Sequence, residues 1–282
     1  EVINMAWNLK KIYKYSKDVF ENNHNIQKLE DDFGNARLDA YQGLIRQMAI
    51  PFGFGAVITH LKKEKRPILF GGSWNDPTYV KEKVLPKMSD REWLQSLPPN
   101  TVGAHLGNLL KNFTLEELYD KRFLVGENTN NLAGRKGRKL WVNISSHMFL
   151  THDIWHVLFR YDTTLFGEGL IQQITFRAIG VVPVAYIAFV VACKVAWRTK
   201  SFMPFKVLRE ADKLAKRANK KLLSANSPLY FLEQDIDEVR KKFDIGVPVE
   251  YIKFTKKFPN YYKGDTIHPE YEDKQWIKAE TI

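Results

Sequence analysis

Residues 152–168 read His-Asp-Ile-Trp-His-Val-Leu-Phe-Arg-Tyr-Asp-Thr-Thr-Leu-Phe-Gly-Glu. Here several metal- and proton-competent side chains fall at meaningful spacing. His152 and His156 are four apart, so on a helix their imidazoles leave one face, one turn apart. That is the spacing by which a helix offers two nitrogens to one metal ion. Asp153 lies about 100° around such a helix from His152 and is either a third ligand or a partner that orients one. On one straight helix Glu168 would sit roughly 18 Å beyond His156 and could not share its site. The sequence breaks the helix first. Tyr161-Asp162-Thr163-Thr164 is turn-forming, and Thr163 or Thr164 can cap a new helix carrying Leu165, Phe166 and Glu168. Two antiparallel helices would bring Glu168 back over the histidines. The expected fold is all-α, a multi-helix single domain with a metal site between two helices.

Other chemistries fit these residues less well. In the metalloprotease motif the residue after the first His is Glu, whose length reaches the metal-bound water. Asp153 is one methylene shorter, which argues against peptide hydrolysis. Phosphohydrolases with an adjacent His-Asp pair need another upstream His and a downstream Asp. His105, His147 and Asp162 are available, but nothing in their spacing singles them out. Two His with one or two carboxylates suit zinc as a Lewis acid, or a non-haem iron centre if oxygen is used.

The stretch HDIWHVLFRYDTTLFGE, a His-Asp-x-x-His followed after eleven residues by Glu, resembles the signature of the Coq4 family of ubiquinone-biosynthesis proteins. Upstream, Leu97-Pro98-Pro99-Asn100-Thr101-Val102-Gly103 is similar to that family's Leu-Pro-x-x-(Ser/Thr)-(Leu/Val)-Gly segment. Downstream, the similarity runs through the apolar stretch near Pro183 to Ile236-Asp237-Glu238-Val239-Arg240, and in all it covers residues 92–245. The resemblance implies action on a polyprenylated hydroxybenzoate ring at a membrane surface. The implied step is oxidative removal of the ring C1 carboxylate, leaving a hydroxyl. It also implies assembly with other ubiquinone-pathway proteins. His152, His156 and Glu168 are then the expected metal ligands, with Asp153 as a further ligand or a base, and Asp153 and Glu168 as the catalytic carboxylates. Zinc is the metal it favours and iron the alternative. Because zinc is redox-inert, an oxidative step at zinc needs an external oxidant.

Composition sets the bounds. A chain of 282 residues can bury a substantial core. Its single cysteine, Cys193, excludes a disulfide framework and fits a reducing compartment. The formal charge of +11 implies an acidic partner, and no nucleic-acid-binding motif accompanies it, so anionic membrane is the expectation and nucleic acid is not. The chain opens on Glu1 rather than Met, and targeting is not legible there.

Residues 1–88 are expected to form a helical and loop-rich extension. It would begin with an arm carrying Lys10, Lys11, Lys14 and Lys17, followed by an amphipathic helix over 36–50 that Pro51 breaks. Residues 89–246 form the expected helical core. Ser89 or Asp90 caps a short helix with Trp93 and Leu94, ended by Pro98-Pro99. Thr101 begins the next, with Leu106, Leu109, Leu110 and Phe113 at helical spacing. Residues 128–139 make a basic loop lacking the Lys-Ser/Thr ending of a phosphate-cradling loop. The motif helix runs over 141–161, and His147 lies off the face of His152. Residues 247–282 are a tail of aromatic and basic residues that wraps a neighbour or its own body. Period-two alternation, internal repeats and a glycine-rich dinucleotide fingerprint are absent from the sequence.

Residues 178–193 are uncharged and apolar, short of the roughly 20 a spanning helix wants, and Pro183 interrupts them. They read as a buried helix, a short span, or the wall of an apolar isoprenoid cavity that dips into the membrane surface. The segment over 206–222 favours the last. Lys206, Arg209, Lys213, Lys216, Arg217 and Lys220 share one helical face, and Val207, Ala211, Leu214, Ala218 and Leu222 share the other. Such a helix suits anionic lipid, and equally suits a solvated helix packed on the core. The expected partners are a prenylated quinone precursor or isoprenoid lipid, an anionic membrane surface and a protein complex. The expected place is the matrix face of the mitochondrial inner membrane or the cytoplasmic face of a bacterial one. Two other functions compete. One is a non-catalytic prenyl-lipid-binding scaffold or subunit, and the other a metal-dependent hydrolase of prenyl phosphates using the basic loop.

Overall fold

The computed structural model describes residues 80–110, 150–179, 182–220 and 226–261, with Lys10, Tyr13 and Leu223. The expectations for the amphipathic helix over 36–50, the basic loop over 128–139, His147 and the end of the tail lie outside the described residues. The helices, in chain order, are α1 (Leu85–Ser89), α2 (Arg91–Ser96), α3 (Val102–Leu109), α4 (residues 150–159), α5 (Leu165–Ile179), α6 (Val182–Thr199), α7 (Met203–Lys220), α8 (Leu229–Leu232), α9 (Ile236–Lys242) and α10 (Val249–Lys257). A π-helical turn, Val80–Val84, precedes α1. Among the described residues there is no strand, in line with the all-α expectation; Thr101 and Asp235 make an isolated bridge. The chain divides into two compact units, one of Lys65–Arg160 with Ala218–Gly246, the other of Tyr161–Arg217 with Glu1–Glu64 and Val247–Ile282.

In the first unit the caps are legible in the sequence. Of Ser89 and Asp90, Asp90 is the cap: its carboxylate accepts the Trp93 amide at 3.0 Å. Leu97 turns to extended backbone, as a residue before proline must. Thr101 then caps α3 by accepting the Ala104 amide at 3.2 Å. Two backbone hydrogen bonds, Val102 N to Gln234 O at 3.0 Å and Ile236 N to Asn100 O at 2.9 Å, clamp this segment to the start of α9. The Leu97–Gly103 and Ile236–Arg240 motifs are therefore neighbours. Gly103 is required at that contact, because a Cβ there would lie 2.6 Å from the Leu232 carbonyl oxygen.

In the second unit α5 and α6 lie against each other. Their approach is close at Gly169, where a Cβ would sit 2.7 Å from Val191 Cγ1. Leu170, Ile171, Ile174 and Ala178 of α5, with Val184, Ile187, Ala188, Val191 and Val195 of α6, are buried. The apolar stretch over 178–193 is thus shared between the end of α5 and the start of α6. Pro183 falls in the first turn of α6, where its missing N–H costs nothing. No helix of the described residues is long and apolar enough to cross a membrane.

The apolar side of α7 is also spent inward, with Val207, Ala211, Leu214 and Ala218 all buried. Of the two readings of this helix, the one packed on the core holds. Two polar clasps fasten it. Asp212 takes a bidentate ion pair from Arg177 of α5, at 2.6 and 2.7 Å, and the Gln173 amide. Glu210 accepts the Glu250 and Tyr251 amides, closing the first turn of α10. Tyr251, Phe254 and Tyr261 then pack their rings on Phe166, so the described part of the tail wraps its own unit.

Candidate metal centre

Helix α4 presents Leu150, Ile154, Trp155, Val157, Leu158 and Phe159 as buried residues, nearly all the way round. A helix so covered has little freedom to rotate, which fixes the direction of its polar residues. His156 is fully buried, and His152 and Asp153 are half-buried. The helix ends at Arg160, whose φ of 61° is left-handed. Its last carbonyls are met by Arg240, a buried guanidinium donating to Leu158 O at 3.2 Å and Val157 O at 3.1 Å. A cation at a helix C-terminus is favourable.

The turn after α4 is built by Asp162 and Thr164. The Thr164 amide donates to Asp162 Oδ1 at 3.1 Å, and the Thr164 hydroxyl hydrogen-bonds the same oxygen. Thr164 in turn accepts the Gly167 amide at its hydroxyl, 3.3 Å, and the Glu168 amide at its carbonyl, 2.8 Å. Of the two threonines, Thr164 caps α5. Gly167 has no substitute, since a Cβ there would fall 1.8 Å from the Asp162 carbonyl oxygen. Below the turn the Tyr261 hydroxyl donates to Asp162 Oδ2 at 3.0 Å, and the Asp162 amide donates to the Tyr251 hydroxyl at 3.3 Å. Burial, then the Asp162 charge, pushes both phenols well above their usual range, so both stay protonated. Glu168 is thereby placed in the first turn of α5.

His152, His156 and Glu168 each offer one ligand atom, and these atoms all lie within 4.8 Å of one another. The two Nε2 atoms are 3.1 Å apart, with ring planes inclined at 69°. Two imidazole nitrogens on one tetrahedral zinc, each at about 2.05 Å, stand roughly 3.3 Å apart, so the pair is already near ligating separation. The donor set, two imidazoles and a carboxylate, fits zinc or ferrous iron. Asp153 is not one of the three. Asp162, the carboxylate a phosphohydrolase reading would want, is engaged as the cap of the turn, and His105 does not join the group.

Arg240, Tyr251 and Tyr261 support this region without any mark in the local motif. Each lies tens of residues away and carries no spacing relationship to the histidines. Only the turn-forming run Tyr161-Asp162-Thr163-Thr164 was a readable signal, and it left Thr163 and Thr164 both open as the cap.

Residues 143–248 match the model of a protein family described as coenzyme Q (ubiquinone) biosynthesis protein Coq4. The match contains His152, Asp153, His156, Glu168 and α5 to α9, and leaves Leu97–Gly103 outside. No curated protein and no solved structure matches the chain.

Proposed function

We propose that this chain, which over residues 143–248 bears the Coq4 family's sequence, serves ubiquinone biosynthesis by removing the C1 carboxylate from a polyprenylated hydroxybenzoate ring at a membrane surface. The observation that carries the reading is the convergence of His152, His156 and Glu168. Those three residues would hold a metal ion, supplying Lewis-acid chemistry if it is zinc and redox chemistry if it is iron. The chain's own groups do the rest. Buried α4 fixes the imidazole directions, so little reorganisation is needed when the site fills. Asp153, half-buried and next in sequence to His152, would serve as the base for the proton that water gives up as it supplies the new hydroxyl and the carboxylate leaves as carbon dioxide. Replacing a carboxylate by a hydroxyl is a two-electron oxidation, so oxygen or another electron acceptor is a required co-reactant.

Elemental analysis of the purified protein beside His156→Ala, together with turnover of a prenylated hydroxybenzoate, tests this. About one metal per chain, lost in the variant along with turnover, is the expected result. Protein that holds no metal under chelator-free purification, and does not turn over the ring, overturns it. A second reading, a prenyl-lipid-binding scaffold within a larger complex, rests on one observation: residues 1–142 and 249–282 lie outside the family match. Full metal occupancy without turnover would favour that reading.

A further inference from the structure

The outward side of α6 is apolar along its length. Phe189 is 49% exposed and Trp197 67%, with Ala185, Tyr186, Cys193 and Ala196 half-exposed between and around them. The stripe continues across the turn into α7. Phe202 is 83% exposed, and its ring lies 6.3 Å from that of Phe205, which lies 6.0 Å from Phe189. The turn is built rather than slack. Lys200 takes a left-handed φ of 49°, Ser201 N donates to Ala196 O at 3.2 Å, and the Ser201 hydroxyl accepts the Met203 amide at 3.2 Å. A large aromatic ring is held out at its tip.

The charge around this stripe has one sign. Lys200 stands over the Trp197 ring, 4.1 Å from its centroid. Along α7 the exposed residues after Phe202 are Lys206, Arg209, Lys213, Lys216, Arg217 and Lys220. The two acidic residues of α7 do not dilute them, because Glu210 is turned to the α10 amides and Asp212 to Arg177. One rigid edge therefore offers exposed aromatics and, next to them, a run of cations.

We infer that this edge is the surface by which the chain docks on an anionic lipid bilayer, with Phe189, Trp197 and Phe202 entering the boundary between headgroups and acyl chains while Lys206 and Arg209 meet lipid phosphates. Aromatic rings prefer that depth, and each nearby cation strengthens attachment to an anionic leaflet. The occupant is a membrane rather than a second copy of the chain, because two copies of an edge this cationic repel. The inference rests on the membrane-surface part of the proposed function and names the face and the lipid class. It moves the contact away from the apolar side of α7, which is buried.

Co-sedimentation of the full chain with vesicles tests it, using phosphatidylcholine alone and phosphatidylcholine mixed with phosphatidylglycerol. The wild-type chain is expected to bind the mixed vesicles, to bind neutral ones weakly, and to lose binding as salt is raised. Lys206→Glu/Arg209→Glu should weaken binding at least on the order of tenfold. Phe202→Ser/Trp197→Ser should weaken it on mixed vesicles even at low salt. Lys256→Glu/Lys257→Glu, an equal charge change on α10, should leave most of the binding, and circular dichroism checks that each variant is folded. Binding unchanged in both edge variants overturns the edge while leaving membrane attachment standing, and no binding by the wild-type chain overturns both. A wild-type dimer that Phe202→Ser converts to monomer would assign the face to self-association instead. Metal content is read on the same samples, so a failed edge and a failed metal centre are told apart.

Discussion

Tyr261 donates its hydroxyl hydrogen to Asp162 Oδ2 across 3.0 Å, joining residues 99 apart in sequence. The bond is buried, and the same carboxylate carries the cap that starts α5. The tail after α10 is thus part of what holds the turn bearing Glu168. Tyr261→Phe keeps the ring and its packing on Phe254 but leaves a buried carboxylate oxygen short of a donor. A hydrogen bond to a charged group is worth about 1.5–3 kcal/mol. We expect a loss of that size in urea unfolding, with the ring contacts retained. Stability unchanged within error would show that Tyr261 is not holding the turn.

Gly167→Ala should be worse. The added methyl would fall 1.8 Å from the Asp162 carbonyl oxygen, which is backbone and cannot swing aside. The turn must open or α5 must shift, at a cost on the order of 2–4 kcal/mol. Glu168 is the next residue, so metal affinity should fall as well. Thermal unfolding and metal content report the two losses separately, and a variant normal in both would refute the account of this turn.

Metal should stabilise the chain. A ligand that binds only the folded state adds about 2.7 kcal/mol when present at a hundred times its Kd. We expect zinc or ferrous iron to raise the melting temperature of the wild-type chain by several degrees, chelator to reverse the rise, and Glu168→Gln or His152→Ala to show much less of it. An equal rise in all three proteins would mean the metal binds elsewhere.

The His-x-x-x-His spacing, the turn over residues 161–164 and the helix starts near Asp90 and Thr101 were all readable, because each is a local rule acting within four residues, though the choice of Asp90 over Ser89 and of Thr164 over Thr163 was left to the structure. The proposed membrane face was less so. The 206–220 pattern shows an apolar side and a basic side, but amphipathicity alone does not say whether the apolar side meets lipid or core. Only the burial of Val207, Ala211 and Leu214 decides that, and it shifts attention to Phe189 and Phe202, which look like ordinary core residues in the sequence. The roles of Arg240 and Tyr261 were invisible for a simpler reason: their partners are backbone and side-chain atoms of distant segments.

The Asp212 clasp gives a stability change with a definite direction in pH. Burial alone would raise this carboxyl, but hydrogen bonds from Arg177 and Gln173 and the Arg177 charge more than offset it, leaving it below the ordinary aspartate value. A folded-state value below the unfolded one means the clasp stabilises the fold at neutral pH. That contribution fades as the pH drops below about 4 and toward the lowered value, where both states are protonated. Asp212→Asn should therefore be less stable than wild type at neutral pH, with the gap narrowing as acid is added. Both partners are about one-third exposed, so solvent screening limits the ion pair to about 1 kcal/mol or less. Urea unfolding of both proteins between neutral and acid pH measures it. A gap that widened toward low pH would mean that Asp212 stabilises the fold in its protonated form, and the clasp as described would be wrong.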